Sequence, residues 1–248
     1  MGLYGVAPAT FTIFVQTESN FIMPFIVLEG LDGAGKSTQV GMLTRMLGHQ
    51  GKRVEFLHFP RFDAPVYGDL IARFLRGELG RLEDVNPYLV ALIFAGDRAE
   101  AGPMIRGWLD AGRWVITDRF VYSNVAYQCA KLGGVRERET LRDWILDLEF
   151  DHNDLPRPDA SLFLDVPFSF TEERLRASRR GADRDYLNGS KDIHEDSLDL
   201  QRSVREMYLS CAAVDDRLKV VDCSDGAGRM DTPENIFRRI ADQVEPFL

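Results

Sequence analysis

Five short apolar runs punctuate the chain, at 25–28, 53–59, 114–117, 160–166 and 218–222. The first, Phe25 to Leu28, is continuous rather than alternating, which is the mark of a parallel strand buried on both faces. Between the runs the apolar residues fall into helical spacing. Val40, Leu43 and Leu47 follow the first run, and Leu70, Ile71, Phe74 and Leu75 share one side of a short helix over 67–76. Asn86-Pro87 reads as a cap and first turn of a helix to about 111, with Leu89, Leu92, Ile93 and Ala99 spaced as its core positions. Further helices are predicted from Ser123, over 135–150, over 197–213 and over 232–244; Ser169-x-x-Glu172 resembles a capping box opening one to about 179. Pro60 has no N–H to give a ladder, so the second strand stops there. Strands alternating with helices predict an α/β fold: three layers, a five-stranded parallel sheet with helices on both faces, in one domain over 23–248 with two mobile insertions.

Residues 1–22 stand outside this pattern. Through Met23 there is no Lys or Arg and one acid, Glu18, so the stretch lacks the basic region of a signal peptide and the arginines of a transit peptide. Val6 stands where a myristoylation signal needs Ser or Thr. The segment reads as a poorly ordered extension, although the apolar patch at 11–15 could dock as a strand.

Charge changes the picture next. Asp and Glu outnumber Lys and Arg by 39 to 30, a net charge of −9, which disfavours nucleic acid or an anionic membrane as partner. A phosphate ligand must therefore be captured by local arginines. Three widely spaced cysteines, Cys129, Cys211 and Cys223, form no C-x-x-C; this argues against a disulfide framework or zinc site and fits a reducing cytoplasm. No apolar run reaches transmembrane length.

The candidate chemistry begins directly after the first strand. Gly30-Leu31-Asp32-Gly33-Ala34-Gly35-Lys36-Ser37 matches G-x-x-x-x-G-K-[ST] in full, between a predicted strand and a predicted helix. That is the context of a phosphate-binding P-loop. Its N–H groups and the positive end of the following helix cradle the phosphates, Lys36 reaches the β- and γ-phosphates, and the Ser37 hydroxyl ligates Mg²⁺. Asp32 and Thr38 complete the stretch expected to hold ATP. Asp118 ends the third strand, where an acid manages Mg²⁺ or its waters. Arg119 beside it lies where doubly wound sheets bind ligands. Arginines also cluster at Arg98 and at Arg174, Arg176, Arg179, Arg180 and Arg184.

Several blocks together resemble the thymidylate kinases. They are Phe59-Pro60-Arg61-Phe62, Leu92-Ile93-Phe94-Ala95-Gly96-Asp97-Arg98-Ala99, and Asp118-Arg119-Phe120-Val121-Tyr122-Ser123-Asn124-Val125-Ala126-Tyr127-Gln128, followed by Leu155-Pro156-Arg157-Pro158-Asp159. The resemblance runs from Met23 to about Leu248. It implies a P-loop NTPase fold with a mobile lid at about 179–195 that phosphorylates dTMP to dTDP with ATP and Mg²⁺. Under it, Phe94 stacks on the thymine ring, Arg98 hydrogen-bonds the base, and Ser123, Asn124 and Tyr127 line the nucleotide pocket. Tyr127 sits behind the deoxyribose, and Arg119 holds the monophosphate. Asp32 lies near the sugar 3′-hydroxyl and the metal, while Phe59 and Pro60 form a peptide bond that can be cis. His194 and Glu195 end the lid against the acceptor.

Gly33 stands where some relatives carry a catalytic arginine, so the resemblance assigns that role to the lid, to Arg180 and Arg184, acting with Lys36 and Arg119. Phe62, Phe120 and His194 depart from the more usual residues of the family. A homodimer is also implied. The alternatives are a kinase for another acceptor, such as dUMP or a deoxynucleoside, or a P-loop switch that binds nucleotide without turnover.

Overall fold

A computed structural model describes residues 23–176, 182–187, 192–194 and 197–248. The expected extension at 1–22, Arg179, Arg180 and Glu195 lie outside the described residues, as does the side chain of Arg184. The strands are β1 (Phe25–Gly30), β2 (Val54–His58), β3 (Trp114–Asp118), β4 (Ala160–Asp165) and β5 (Leu218–Asp222). The helices are α1 (Lys36–His49), α2 (Tyr67–Leu75), α3 (Pro87–Asp110), α4 (Val121–Cys129), α5 (Val135–Leu146), α6 (Phe168–Arg176), α7 (Leu198–Ala212) and α8 (Pro233–Val244).

All pairings are parallel, in the order β2-β3-β1-β4-β5. Two strands therefore lie on each side of β1, and a crevice opens beyond its carboxyl end, where such sheets take their ligands. Alternate residues of β1 supply two cores. Phe25 and Val27 pack with α3, α4, α5 and α7 on one face, through Ile105, Val125, Leu141 and Val204. Ile26 and Leu28 pack with α1 and α8 on the other, through Leu43, Leu47, Ile236 and Ile240. This sandwiching is why β1 opens on four consecutive apolar residues, Phe25 to Leu28. The cap expected at Asn86 is present, accepting from Tyr88 N at 2.9 Å; Ser197 and Thr232, read as the first residues of their helices, instead cap α7 and α8.

Three readings are corrected. Leu89 and Leu92 are 59% and 48% exposed rather than core, and α3 buries Val90, Ala91, Ala95, Ala101 and Ile105 instead. Helical spacing identifies a stripe but not which of two adjacent stripes meets the sheet. Ser169 lies inside α6, which starts at Phe168, so it does not precede the helix as a cap must. The helix expected over 135–150 is α-helical only to Leu146; a π-helical turn, Asp147–His152, follows and turns Glu149 and Phe150 inward.

Candidate active site

The glycine loop joins β1 to α1. Gly35, which precedes α1, has φ 84°, in the left-handed region that glycine enters without cost. Lys36 is buried, and its Nζ donates to the carbonyls of Gly30 at 3.4 Å and Leu31 at 3.1 Å. It stands 3.7 Å from Asp118 Oδ1, and His58 Nδ1 lies 3.6 Å from the other carboxylate oxygen. Burial lowers the Lys36 ammonium from its usual value, with the Arg119 charge adding to the effect. Burial would lift the Asp118 carboxyl, but Lys36 and His58 outweigh it and hold it below the usual range. Asp118 Oδ1 is buried with no hydrogen-bond partner.

Arg119 follows with φ 67°, unusual for a residue bearing a Cβ. Its N–H is tied to Leu28 O at 2.8 Å, which holds the side chain over the crevice. Nη2 reaches Asp32 Oδ1 at 2.7 Å and Tyr127 OH at 3.3 Å; Nη1 reaches Ser123 Oγ at 3.1 Å. Tyr127 OH donates to Asp32 Oδ2 at 2.7 Å. The loop acid, the strand-end arginine and two residues of α4 thus form one network.

Behind it sits Glu29, an acid with no exposure in the middle of the sheet. It accepts from Phe120 N at 3.0 Å and Ser123 N at 3.3 Å, so its carboxylate caps α4 from the neighbouring strand. Ser123 Oγ at 2.5 Å and Tyr208 OH at 2.9 Å complete its shell, and burial raises its pKa. The Phe59-Pro60 bond is cis. The loop after it is pinned to α3 by Asp97, which accepts from Arg61 N at 2.9 Å and Nε at 2.8 Å. Phe62 stacks on Tyr186 with centroids 3.8 Å apart, and Tyr186 OH donates to Asp192 at 2.6 Å.

The glycine loop and the strand-end network border one cavity of about 790 Å³. The loop residues Asp32 to Ser37, with His58, Asp118 and Arg119, line it together with Phe59, Pro60, Phe62, Phe94, Arg98, Ser123, Asn124, Tyr127 and His194. Gly30 and Thr38 do not border it. His194 is buried against Tyr127 and Phe74, and burial, together with the charge of Lys131, lowers its pKa. Among the described residues Nε2 of His194 has no hydrogen-bond partner. Arg98 is buried and pairs with Glu149. Sequence reasoning passed over Glu29, Glu149, His58 and Tyr186. For Glu29 a signal existed, because an acid inside a strand buried on both faces must be met by donors.

Lys131, just beyond α4, donates to Gln128 Oε1 at 2.7 Å and lies 4.9 Å from the centre of the Phe74 ring. Burial pushes its pKa down to about 7. The unfolded chain then binds a proton that the folded chain does not, between about 7 and the usual lysine value of 10.5, so stability rises with pH across that window. Lys131→Met is expected to stabilise the fold by about 1–2 kcal/mol below pH 7, a figure discounted for the part of the side chain in solvent. The advantage should shrink from pH 7 to 10.5. Chemical denaturation of both proteins across pH checks this; a pH-independent difference would refute it.

The sequence pattern of the thymidylate kinases matches residues 28–231. A probable thymidylate kinase of Thermococcus kodakarensis is 33% identical over 229 residues, covering 90% of this chain and 98% of that one. The thymidylate kinase of Mycobacterium tuberculosis is 37% identical over 188 residues, 76% of this chain and 85% of its own. Among solved structures, the thymidylate kinase of Candida albicans superposes with a TM-score of 0.65 at 25% identity, over 90% of this chain and 92% of that one. Among the described residues no helix is long and apolar enough to cross a membrane.

Proposed function

This chain belongs to the thymidylate kinase family, and from that premise we propose how its cavity performs the family's reaction. It is a nucleoside monophosphate kinase that phosphorylates dTMP to dTDP with ATP as donor. The observation that supports a site assignment is the polarity of the cavity. Its lining joins the glycine loop, Lys36 and Asp118 to an aromatic ring and paired polar side chains, and Arg119 bonds to both sets, through Asp32 and through Ser123 and Tyr127.

In this reading ATP lies on residues 30–38 with its γ-phosphate toward Lys36. Phosphate oxygens draw the Lys36 ammonium from the two carbonyls it now contacts and supply the counter-charge that burial denies it. The dTMP base lies against Phe94 between Arg98 and Asn124, and its monophosphate meets Arg119. Tyr127, fixed by Asp32 and Arg119, stands behind the sugar. A phosphate oxygen of dTMP attacks the γ-phosphorus as the bond to the bridging oxygen breaks, and ADP leaves. The attacking oxygen is already ionised, so no residue need remove a proton. The protein's work is placement and charge. Arg180 and Arg184 of the lid are assigned the remaining charge on the moving group, and Glu195 and His194 the lid-side contact with the acceptor.

The residues fit Mg²⁺. Ser37 offers an exposed hydroxyl, and Asp118 a buried oxygen without a hydrogen-bond partner, in the same cavity. These are hard oxygen donors, few in number, as suits an ion shared with phosphates and water. Ser37 and Asp118, with Asp32 beside them, would hold it; when bound it draws charge from the phosphate oxygens.

The test is a panel of monophosphates with ATP, followed by ADP release. A clear preference in kcat/KM for dTMP is expected; equal rates with dUMP, dCMP and dTMP would overturn the assignment. We place the protein in the cytoplasm, as its three free, buried cysteines fit. We also propose a homodimer, for which the exposed Leu89 and Leu92 of α3 offer an apolar face. Sedimentation should return twice the 28.1 kDa chain mass, and a Leu92→Glu variant should shift toward that mass itself.

A further inference from the structure

Glu149 has no solvent exposure, yet the reaction described above gives it no part. It sits on the π-helical turn after α5 and joins two residues of the base site that come from different helices. Its Oε2 accepts from Arg98 Nε at 2.5 Å, and its Oε1 accepts from Arg98 Nη2 at 2.6 Å and from Asn124 Nδ2 at 2.8 Å. Asn124 Nδ2 also donates to Ala91 O at 3.0 Å.

Both partners of that amide nitrogen are acceptors. A carbonyl has no proton to give, and a carboxylate spanning a guanidinium has none either. Turning the amide over would set its oxygen against two oxygens at a buried position, so its orientation follows from its neighbours. The consequence is that Asn124 Oδ1, buried in the side chain where Asn124 borders the cavity, is left with no hydrogen-bond partner among the described residues. Arg98 is fixed in the same way: one edge of its fork is taken by Glu149, and among the described residues Nη1 has no protein partner. One donor of Arg98 and one acceptor of Asn124 thus remain unused in two side chains that border the same cavity. A pyrimidine with a 4-oxo group and an N3–H carries the matching acceptor and donor. A 4-amino pyrimidine carries the reverse, and would leave buried polar groups unpaired.

We propose that Glu149 is a specificity-determining positioning residue, whose carboxylate locks Asn124 and Arg98 in the orientation that reads a 4-oxo, N3–H pyrimidine and rejects a 4-amino one. This rests on the dTMP reading of the cavity. Sites built to hydrogen-bond a particular edge reject the wrong one by large factors, because the mismatch strands buried groups.

The experiment compares the wild type with Glu149→Gln, using dTMP and dCMP as acceptors at saturating ATP. Glutamine keeps the shape but can donate or accept, so the Asn124 amide is released to turn. The ratio of kcat/KM for dTMP over dCMP should fall by about tenfold or more, with the change mainly in KM. A purely structural role for Glu149 would lower the folded fraction and scale both acceptors alike, so an unchanged ratio overturns the proposal. A wild type that does not prefer dTMP to dCMP overturns the underlying reading, and the proposal with it. A measurement on the wild type keeps the proposal testable even if the variant does not fold. Nuclear magnetic resonance should show the Asn124 side-chain amide protons exchanging slowly with solvent, since both are held; fast exchange overturns the lock.

Discussion

Replacing Arg119 with alanine is expected to raise the KM for dTMP by about a hundredfold while leaving the KM for ATP within about twofold. The guanidinium is buried at the carboxyl end of the sheet and bonded to Asp32, Ser123 and Tyr127. A buried fork of donors held by three partners meets a phosphate without reorganising, so its loss removes binding that solvent cannot replace. Arg119→Lys should recover only part of the loss, because an ammonium keeps the charge without the fork. Asp32 belongs to the glycine loop and loses this ion pair in the alanine variant, so the ATP term is the informative control. Steady-state kinetics with each substrate varied in turn checks the expectation. A variant that lost ATP affinity alone would show that Arg119 serves the donor, and the acceptor end of the cavity would have to be reassigned.

The second large effect is expected at Lys36. Lys36→Met should reduce kcat by about a thousandfold, roughly 4 kcal/mol of transition-state stabilisation, with a smaller change in the KM for ATP. Methionine fills much of the same buried space, so the difference reports the charge. Lys36 Nζ rests on the carbonyls of Gly30 and Leu31 beside Asp118. It is desolvated before the nucleotide arrives, and a cation in that state interacts strongly with charge that develops on the γ-phosphate. Single-turnover measurement separates this chemical step from product release. A kcat within about threefold of the wild type would exclude Lys36 as a carrier of that charge.

The two expectations differ in how they were reached. The lysine was legible at once, because glycine spacing, a strand before and a helix after are all local features. The arginine needed the sheet: its place depends on β3 lying beside β1, so that Leu28 O receives its N–H and Asp32 comes within 2.7 Å. Phe94 and Arg98 show the same division. Their motif was visible, but helical spacing would have placed Leu89 and Leu92 inside with them, and those leucines are exposed.

By itself, the sequence determined the order of strands and helices, the parallel sheet and the phosphate loop. These follow from apolar continuity, helical periodicity and glycine spacing, which act over a few residues and are written in them. Only the tertiary structure decided which charges are buried together. Glu29 meets Tyr208 across 179 positions, and Arg98 meets Glu149 across 51. Taken alone, Glu149 reads as an ordinary acid on a helix surface. A charge can stay in the interior only where distant residues bring complementary donors to it. No local pattern records that meeting, so the arginine expected to read the base was foreseeable and the glutamate that holds it in place was not.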